Sequence, residues 1–383
     1  MAALPLLAVT ITRSPELISA VAVATYAPWL LVSLPVGVLV DRHDRARLMR
    51  GAQIVQGAVV LAITVLVATR RADIALLAVA GFLLGSAEVV FSNAAQSILP
   101  RLVRPDQLAR ANGNQYVVQT TGQLFIGPPV GSVLFALMKA LPFGVDAGSF
   151  AISAALLAKL PAQPVEARPV VAPVSLFASI REGLTWLFRH RLLRLVAVLL
   201  GVNNFCGQMG IATMVLLATQ TLHVGARGYG LLLSATAVGS VIGGLVNPIL
   251  TRRIGQLPSL IVASVANAAI YVGIGLAPSA YVIGALFVVN GFAVTMWNVV
   301  TVTLRQQIVP DDLRGRVNSA YRMLGWGLMP LGALAGGLVA EAAGLRAPYI
   351  LAGILRGVAL VAIVPALLAA SRAIARPEPA MVA

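Results

Sequence analysis

The chain has 383 residues, is 59% hydrophobic and only 11% charged, and carries a formal net charge of +15. Soluble domains carry roughly 25% charged residues, so a soluble fold is excluded: this much apolar surface requires lipid as its solvent. The positive charge lies in short segments between apolar runs, with no basic stripe interleaved with aromatics, and that excludes a nucleic-acid partner.

In chain order, the first element is an apolar stub over residues 2–12. Eleven residues at ~1.5 Å each reach only about half of a ~30 Å hydrocarbon core. The stub also lacks the basic start and cleavage region of a signal peptide. It is expected to be the outer half of a first helix whose inner half is missing. Eleven apolar runs follow, each long enough to span a bilayer: 19–40, 51–69, 73–97, 112–138, 141–160, 192–219, 228–250, 257–277, 280–303, 317–340 and 347–371. Gly and Pro interrupt some of them, which membrane helices tolerate. The widest interval, 161–191, is Pro-rich at first and then amphipathic, with Leu176, Ile180, Leu184, Leu187 and Phe188 at helical spacing among Arg181, Glu182, Arg189 and Arg191. It is read as a passive linker or as a helix lying on the membrane surface. It divides the chain into a first bundle (1–160), the linker (161–191), a second bundle (192–371) and a tail (372–383).

Of the 28 Lys and Arg residues, 21 fall on one side of these spans, 6 on the other, and Arg356 lies inside the last span. The bias places the Arg-rich side, and the C-terminus with it, in the cytoplasm of a cell (inner) membrane protein.

Between the runs 19–40 and 51–69 the sequence reads Gly37-Val-Leu-Val-Asp41-Arg42-His-Asp44-Arg45. G-x-x-x-D-R-x-x-R in a tight loop between two spans resembles the signature loop of the major facilitator superfamily, whose members are twelve-helix secondary transporters. Asp44 stands where the general pattern prefers Gly, which looks like the branch of drug, macrolide and siderophore exporters resembling enterobactin exporters. The resemblance covers nearly the whole chain. It implies an all-α membrane protein of two pseudo-symmetric six-helix bundles around a cavity. A weak internal repeat agrees with this: Arg104-Pro-Asp-Gln-Leu-Ala-Arg110 aligns with Val309-Pro-Asp-Asp-Leu-Arg-Gly-Arg316. It also implies a cytoplasmic latch made by Gly37, Asp41, Arg42 and Arg45, with Asp41 accepting from the start of a facing helix. Gly127-Pro128-Pro129-Val130-Gly131 is similar to the G-P-x-x-G core of the antiporter motif of exporters, although Gln123 stands where an upstream Gly is expected.

Glu88 is the only carboxylate well inside a span. An intramembrane acid is costly and marks a functional site by default. A carboxyl in a low dielectric favours its neutral form, so Glu88 is the proton-coupling candidate. The alternative is a structural partner for a nearby Arg. Asp146 is expected to cap the sixth helix. Polar and aromatic residues within spans form the candidate cavity lining: Tyr26, Asn93, Gln119, Gln123, Asn203, Asn204, Gln208, Asn290, Trp297, Asn298, Trp326 and Arg356. For each, interhelical packing is the plainer reading, as it is for Gly239-x-x-x-Gly243 and Gly332-x-x-x-Gly336. Cys206 is the single cysteine and the three histidines are scattered, so no metal cluster is expected. No P-loop, G-x-S-x-G or H-E-x-x-H is present, so neither an enzyme nor a cofactor is expected. The expected function is export of amphiphilic small molecules by proton antiport, as a monomer in the bilayer. The alternatives are an importer or facilitator of the same fold, and a non-transporting receptor or remnant.

Overall fold

The computed structural model describes residues 3–32, 35–36, 39–40, 43–104, 118, 121–160, 176–310 and 313–375. Every regular element among them is helical: α1 (Ala3–Ile11), α2 (Pro15–Leu31), α3 (Arg45–Ala68), α4 (Ile74–Leu102), α5 (Gly127–Leu137), α6 (Leu141–Leu157), α7 (Leu176–Arg189), α8 (Arg191–Leu216), α9 (Ala226–Ile254), α10 (Gln256–Leu276), α11 (Ala280–Ile308), α12 (Arg314–Gly327), α13 (Met329–Ala343) and α14 (Ala347–Ala375). A π-helical turn, Thr121–Ile126, leads into α5, and another, Leu217–Thr221, extends α8. Among the described residues, eight helical stretches are long and apolar enough to cross a membrane, and Pro15–Leu31, Gly127–Leu137 and Leu141–Leu157 are shorter apolar helices. Each falls on one of the eleven runs read from the sequence, eight of them at spanning length; residues 112–117 and 119–120 of the fourth run, and 33–34 and 37–38 of the first, lie outside the described residues.

Polar caps and prolines set the helix ends. Ser14 caps α2 ahead of Pro15, whose missing N–H costs nothing in a first turn. Asp44 accepts from Arg47 N at 2.9 Å and starts α3 six residues before the apolar run at 51. The departure from Gly at this place in the signature loop is therefore a helix cap. Asp73 accepts from Ala75 N and Leu76 N at 2.6 and 3.1 Å and starts α4. The expected cap at Asp146 is wrong: α6 begins at Leu141, with Pro142 in its first turn, and Asp146 lies inside the helix beside Ser149. The run 317–340 is two helices, because Pro330 removes a donor and α12 breaks from α13 at Leu328. At this break the Gly325 carbonyl accepts Asn204 Nδ2 at 3.0 Å.

The helices pack as two related groups. In the first, α2 packs on α4, α4 on α3, and α3 on α6; in the second, α9 packs on α11, α11 on α10, and α10 on α14. Glycines set the closest approaches: a Cβ at Gly85 would meet the Thr25 carbonyl, one at Gly239 the Val288 carbonyl, and one at Gly332 the Phe205 backbone. The two glycine rows therefore pack helices, as read from their spacing. The short helix α1 buries Leu6, Leu7 and Ala8 in a core shared with Phe135, Met209 and Tyr229. Helix α7 packs on α12 through Leu187, leaving Arg181 and Phe188 exposed, so it is docked on the second group rather than a free linker.

Candidate functional site

The two groups meet along two seams, α2 against α13 and α5 against α9. Each seam is a serine set into a glycine notch. Ser19 of α2 is 0% exposed, and a Cβ on Gly337 of α13 would lie 2.5 Å from its Oγ and 3.0 Å from the Pro15 carbonyl. Ser132 of α5 is also 0% exposed; a Cβ on Gly230 of α9 would clash with its Oγ and lie 2.7 Å from the Pro128 carbonyl. Neither serine hydroxyl has a hydrogen-bond partner among the described residues. Both notches lie toward the end that carries Arg13, Lys139, Arg227 and Arg346, the Arg-poor end.

Polar and aromatic contacts join the groups farther along. Tyr26 of α2 lies beside the side chain of Gln208 on α8, whose Oε1 is buried with no hydrogen-bond partner among the described residues. Trp29 and Trp326 meet edge to face with ring centroids 4.6 Å apart, and a Cβ on Gly327 would touch Leu30 at 3.2 Å. Tyr26, Asn204, Gln208 and Trp326, four of the residues read as cavity lining, thus converge where α2, α8 and α12 meet.

The other lining residues divide. Asn93 donates to the Val89 carbonyl of its own helix at 2.7 Å, and Asn298 is exposed. Asn290 Oδ1 and Trp297 Nε1 are buried with no hydrogen-bond partner among the described residues; Trp297 packs with Met296, Val300 and Tyr321 in the second group. Gln119 and the side chain of Gln123 lie outside the described residues. Arg356, 7% exposed, lies inside the second group: Nη2 donates to the Asn203 carbonyl at 2.8 Å and the guanidinium covers the Tyr271 ring at 3.8 Å. Its Nε and Nη1 have no partner among the described residues, and the Cys206 thiol is within its reach.

Glu88 sits at the midpoint of α4, fourteen residues from either end. Its partner is not an arginine: Gln56 Nε2 of α3 donates to Glu88 Oε2 at 3.1 Å. Of the signature loop, Gly37, Asp41 and Arg42 lie outside the described residues, while Arg45 is half-buried at the first turn of α3. Gly127, Pro128 and Gly131 lie at the start of α5, where a Cβ on Gly127 would meet the Gly122 carbonyl at 2.6 Å across the π-helical turn. The motif therefore sits beside the Ser132–Gly230 notch, with the Pro128 carbonyl part of it.

Sequence reasoning missed Ser19, Trp29, Ser132, Gly230 and Gly337. No spacing signal marks them: each seam sets a position four residues into one helix against a position near the middle of another.

The family described as transmembrane secretion effector matches residues 2–378. Macrolide efflux protein A of Streptococcus pyogenes is 22% identical over 90% of this chain and 85% of that protein. The multidrug efflux pump Tap of Mycolicibacterium fortuitum is 26% identical over 87% of this chain and 82% of the pump. The MFS-type transporter YfmI of Bacillus subtilis (strain 168) is 26% identical over 69% of this chain, which spans 66% of YfmI. Among solved structures, a point mutant of the nucleoside transporter NupG superposes with a TM-score of 0.71 at 14% identity, covering 92% of this chain and 91% of that one. A bacterial homologue of the iron transporter ferroportin, in an inward-facing state, gives 0.70 at 18% identity, covering 94% of each chain. At such identities the likeness to these structures is one of fold alone.

Proposed function

The chain belongs to the transmembrane secretion effector family of major facilitator transporters, and from that membership we propose that it exports amphiphilic small molecules from the cytoplasm in exchange for protons. The observation that carries this reading is the family match together with relatives named for efflux; the pair of serine–glycine notches, which hold the two groups together at the Arg-poor end, bears on the state of the cycle. The positive-inside bias assigns that end to the outside and the C-terminus to the cytoplasm of the cell membrane. In this state the protein is closed outward and loads from the cytoplasm, with the residues where α2, α8 and α12 meet as the substrate contacts.

Tyr26, Asn204, Gln208 and Trp326 offer aromatic faces with a few polar groups, which suits large, weakly polar molecules. The relatives named for macrolide and multidrug efflux support the same substrate class and direction. Export requires the notches to part while the Arg-rich end closes, which is the role proposed for Gly37, Asp41, Arg42 and Arg45 together with the start of α12. Gly127, Pro128 and Gly131 fix the bend of α5 beside one notch. Glu88, half-buried and held by Gln56, takes a proton from outside and releases it inside, and one monomer completes the cycle.

The test uses inverted membrane vesicles, whose lumen is the outside of the cell, that accumulate a macrolide or a cationic dye when the lumen is made acidic relative to the bath. Accumulation that collapses with a protonophore supports export by proton antiport. Depletion of the vesicle lumen under the same gradient makes the protein an importer and overturns the reading.

A further inference from the structure

We propose that the first helical group carries a binding groove for one acyl chain of an anionic glycerophospholipid, with Arg47 holding the headgroup. A groove of about 340 Å³ runs over the surface of α3 and α4 and reaches Val32 at the end of α2. Its walls are Gly51, Ala52 and Val55 of α3 with Leu83 and Ala87 of α4, and Arg47 is the sole charged residue among the described residues that line it. The groove exists because small residues stand where larger ones would fill it: a Cβ built on Gly51 meets nothing within 4 Å. It lies apart from both seams, on the face that meets lipid.

Charge and depth select the occupant. From Arg47 to Val55 the groove follows eight residues of α3, about 12 Å, close to the ~15 Å of one leaflet of hydrocarbon. Arg47 is exposed at the Arg-rich mouth, and Arg45 and Arg50 flank it on the same turns. Asp44 takes the backbone N–H of Arg47, and no acid among the described residues pairs with its guanidinium. A chain lying in the groove from that leaflet therefore brings its phosphate to the guanidinium, and the length of the Arg side chain lets the charge stay at headgroup level. Each basic residue near such a surface favours anionic over zwitterionic lipid by about fivefold. Because the groove ends on Val32, just before the signature loop, a bound chain braces the end of α2 from outside. The proposal rests on membership of a membrane family and not on the direction or substrate of transport, so it stands or falls separately from the export reading.

The experiment places the full chain carrying Leu83→Trp in nanodiscs and measures quenching by lipids brominated on their acyl chains. The lipid is phosphatidylglycerol or phosphatidylcholine at equal mole fraction, and the parent chain, with its own tryptophans, is the blank. The expected result is an apparent affinity for phosphatidylglycerol about fivefold above that for phosphatidylcholine. That preference is lost with Arg47→Gln and kept with Arg253→Gln, an exposed arginine elsewhere on the Arg-rich end. Gly51→Phe, which fills the groove, abolishes quenching of the introduced indole by both lipids, and Val55→Phe serves as a second filling variant. Equal quenching by the two lipids means ordinary annular lipid and overturns the proposal. A preference for phosphatidylglycerol that survives both filling variants places the anion on Arg47 without a chain in the groove, and overturns it as well.

Discussion

Adding one methyl group to either notch glycine is expected to open the Arg-poor end without damaging either helical group. In Gly337→Ala the new Cβ would sit 2.5 Å from Ser19 Oγ and 3.0 Å from the Pro15 carbonyl. Both contacts cross the seam, so parting the seam relieves them, whereas the second group keeps its own packing. Overpacking of this kind costs about 1–3 kcal/mol, which changes the ratio of closed to parted conformers by about 5- to 150-fold. Ser19→Ala acts in the opposite sense: it removes a buried hydroxyl with no partner among the described residues, whose desolvation costs about 1–3 kcal/mol, and so tightens the same seam. Spin labels on cysteines replacing Glu16 of α2 and Glu341 of α13, both exposed at the Arg-poor end, report the separation by double electron–electron resonance. Gly337→Ala should lengthen the dominant distance in membranes and Ser19→Ala should narrow the distribution at the short one. Gly244→Ala, whose Cβ meets nothing within 4 Å, is the silent control. An unchanged distance distribution in folded Gly337→Ala would refute the notch as the element that holds this end shut.

The remaining expectations are local. Glu88→Gln should insert and fold normally, since an amide can still bond Gln56, yet lose gradient-driven accumulation in vesicles; full accumulation removes Glu88 from the coupling. Arg346 donates through Nη1 to the Gly275 and Ala277 carbonyls at 2.9 and 2.7 Å and so caps the end of α10. Arg346→Gln should cost about 1.5–3 kcal/mol for each charged bond lost and lower the Tm measured in detergent; an unchanged Tm counts against the cap. His190 caps α8 by accepting Leu193 N–H on Nδ1 at 3.4 Å, and burial lowers its pKa below the ordinary 6.5. A lowered pKa favours the neutral, accepting ring when folded, so its contribution to stability is present above 6.5 and is lost as pH falls through the folded value. His190→Asn keeps a cap and should flatten that slope of thermal stability below pH 6.5; an identical slope in both proteins sets the effect elsewhere.

The spans were legible because lipid leaves no alternative to long apolar helices. Their ends were less so. Helix α3 begins at Arg45 rather than 51 because a helix can continue through charged residues once it leaves hydrocarbon, and hydropathy is blind to that extension. The break at Leu328 could have been read from Pro330, but one proline in an apolar run marks a kink, a break or an unbroken membrane helix with equal ease. Asp146 misled because a carboxylate after a loop is a common cap, whereas Pro142 had already started the helix. Glu88 stood out by chemistry alone, while its partner Gln56, thirty-two residues away, required the packing of α3 on α4. The notches were hidden for a different reason: Gly230 and Gly337 are two of 35 glycines, and what distinguishes them is the neighbour across the seam.

The seam serines and glycines have an arithmetic of their own. Ser19 lies four residues into α2 and Gly230 four residues into α9, while Ser132 and Gly337 lie near the middles of α5 and α13. Each seam thus sets an early position of one helix against a middle position of another, yet the hydroxyl comes from the early position in one seam and from the middle position in the other. Both hydroxyls belong to the first group and both hollows to the second. What each seam requires is a fixed sum of volume, one serine and one hydrogen, and not a fixed address for either. With all the bulk on one group and all the recess on the other, the seams act as a plug and a socket: the bulk can shrink without harm, but the recess cannot fill.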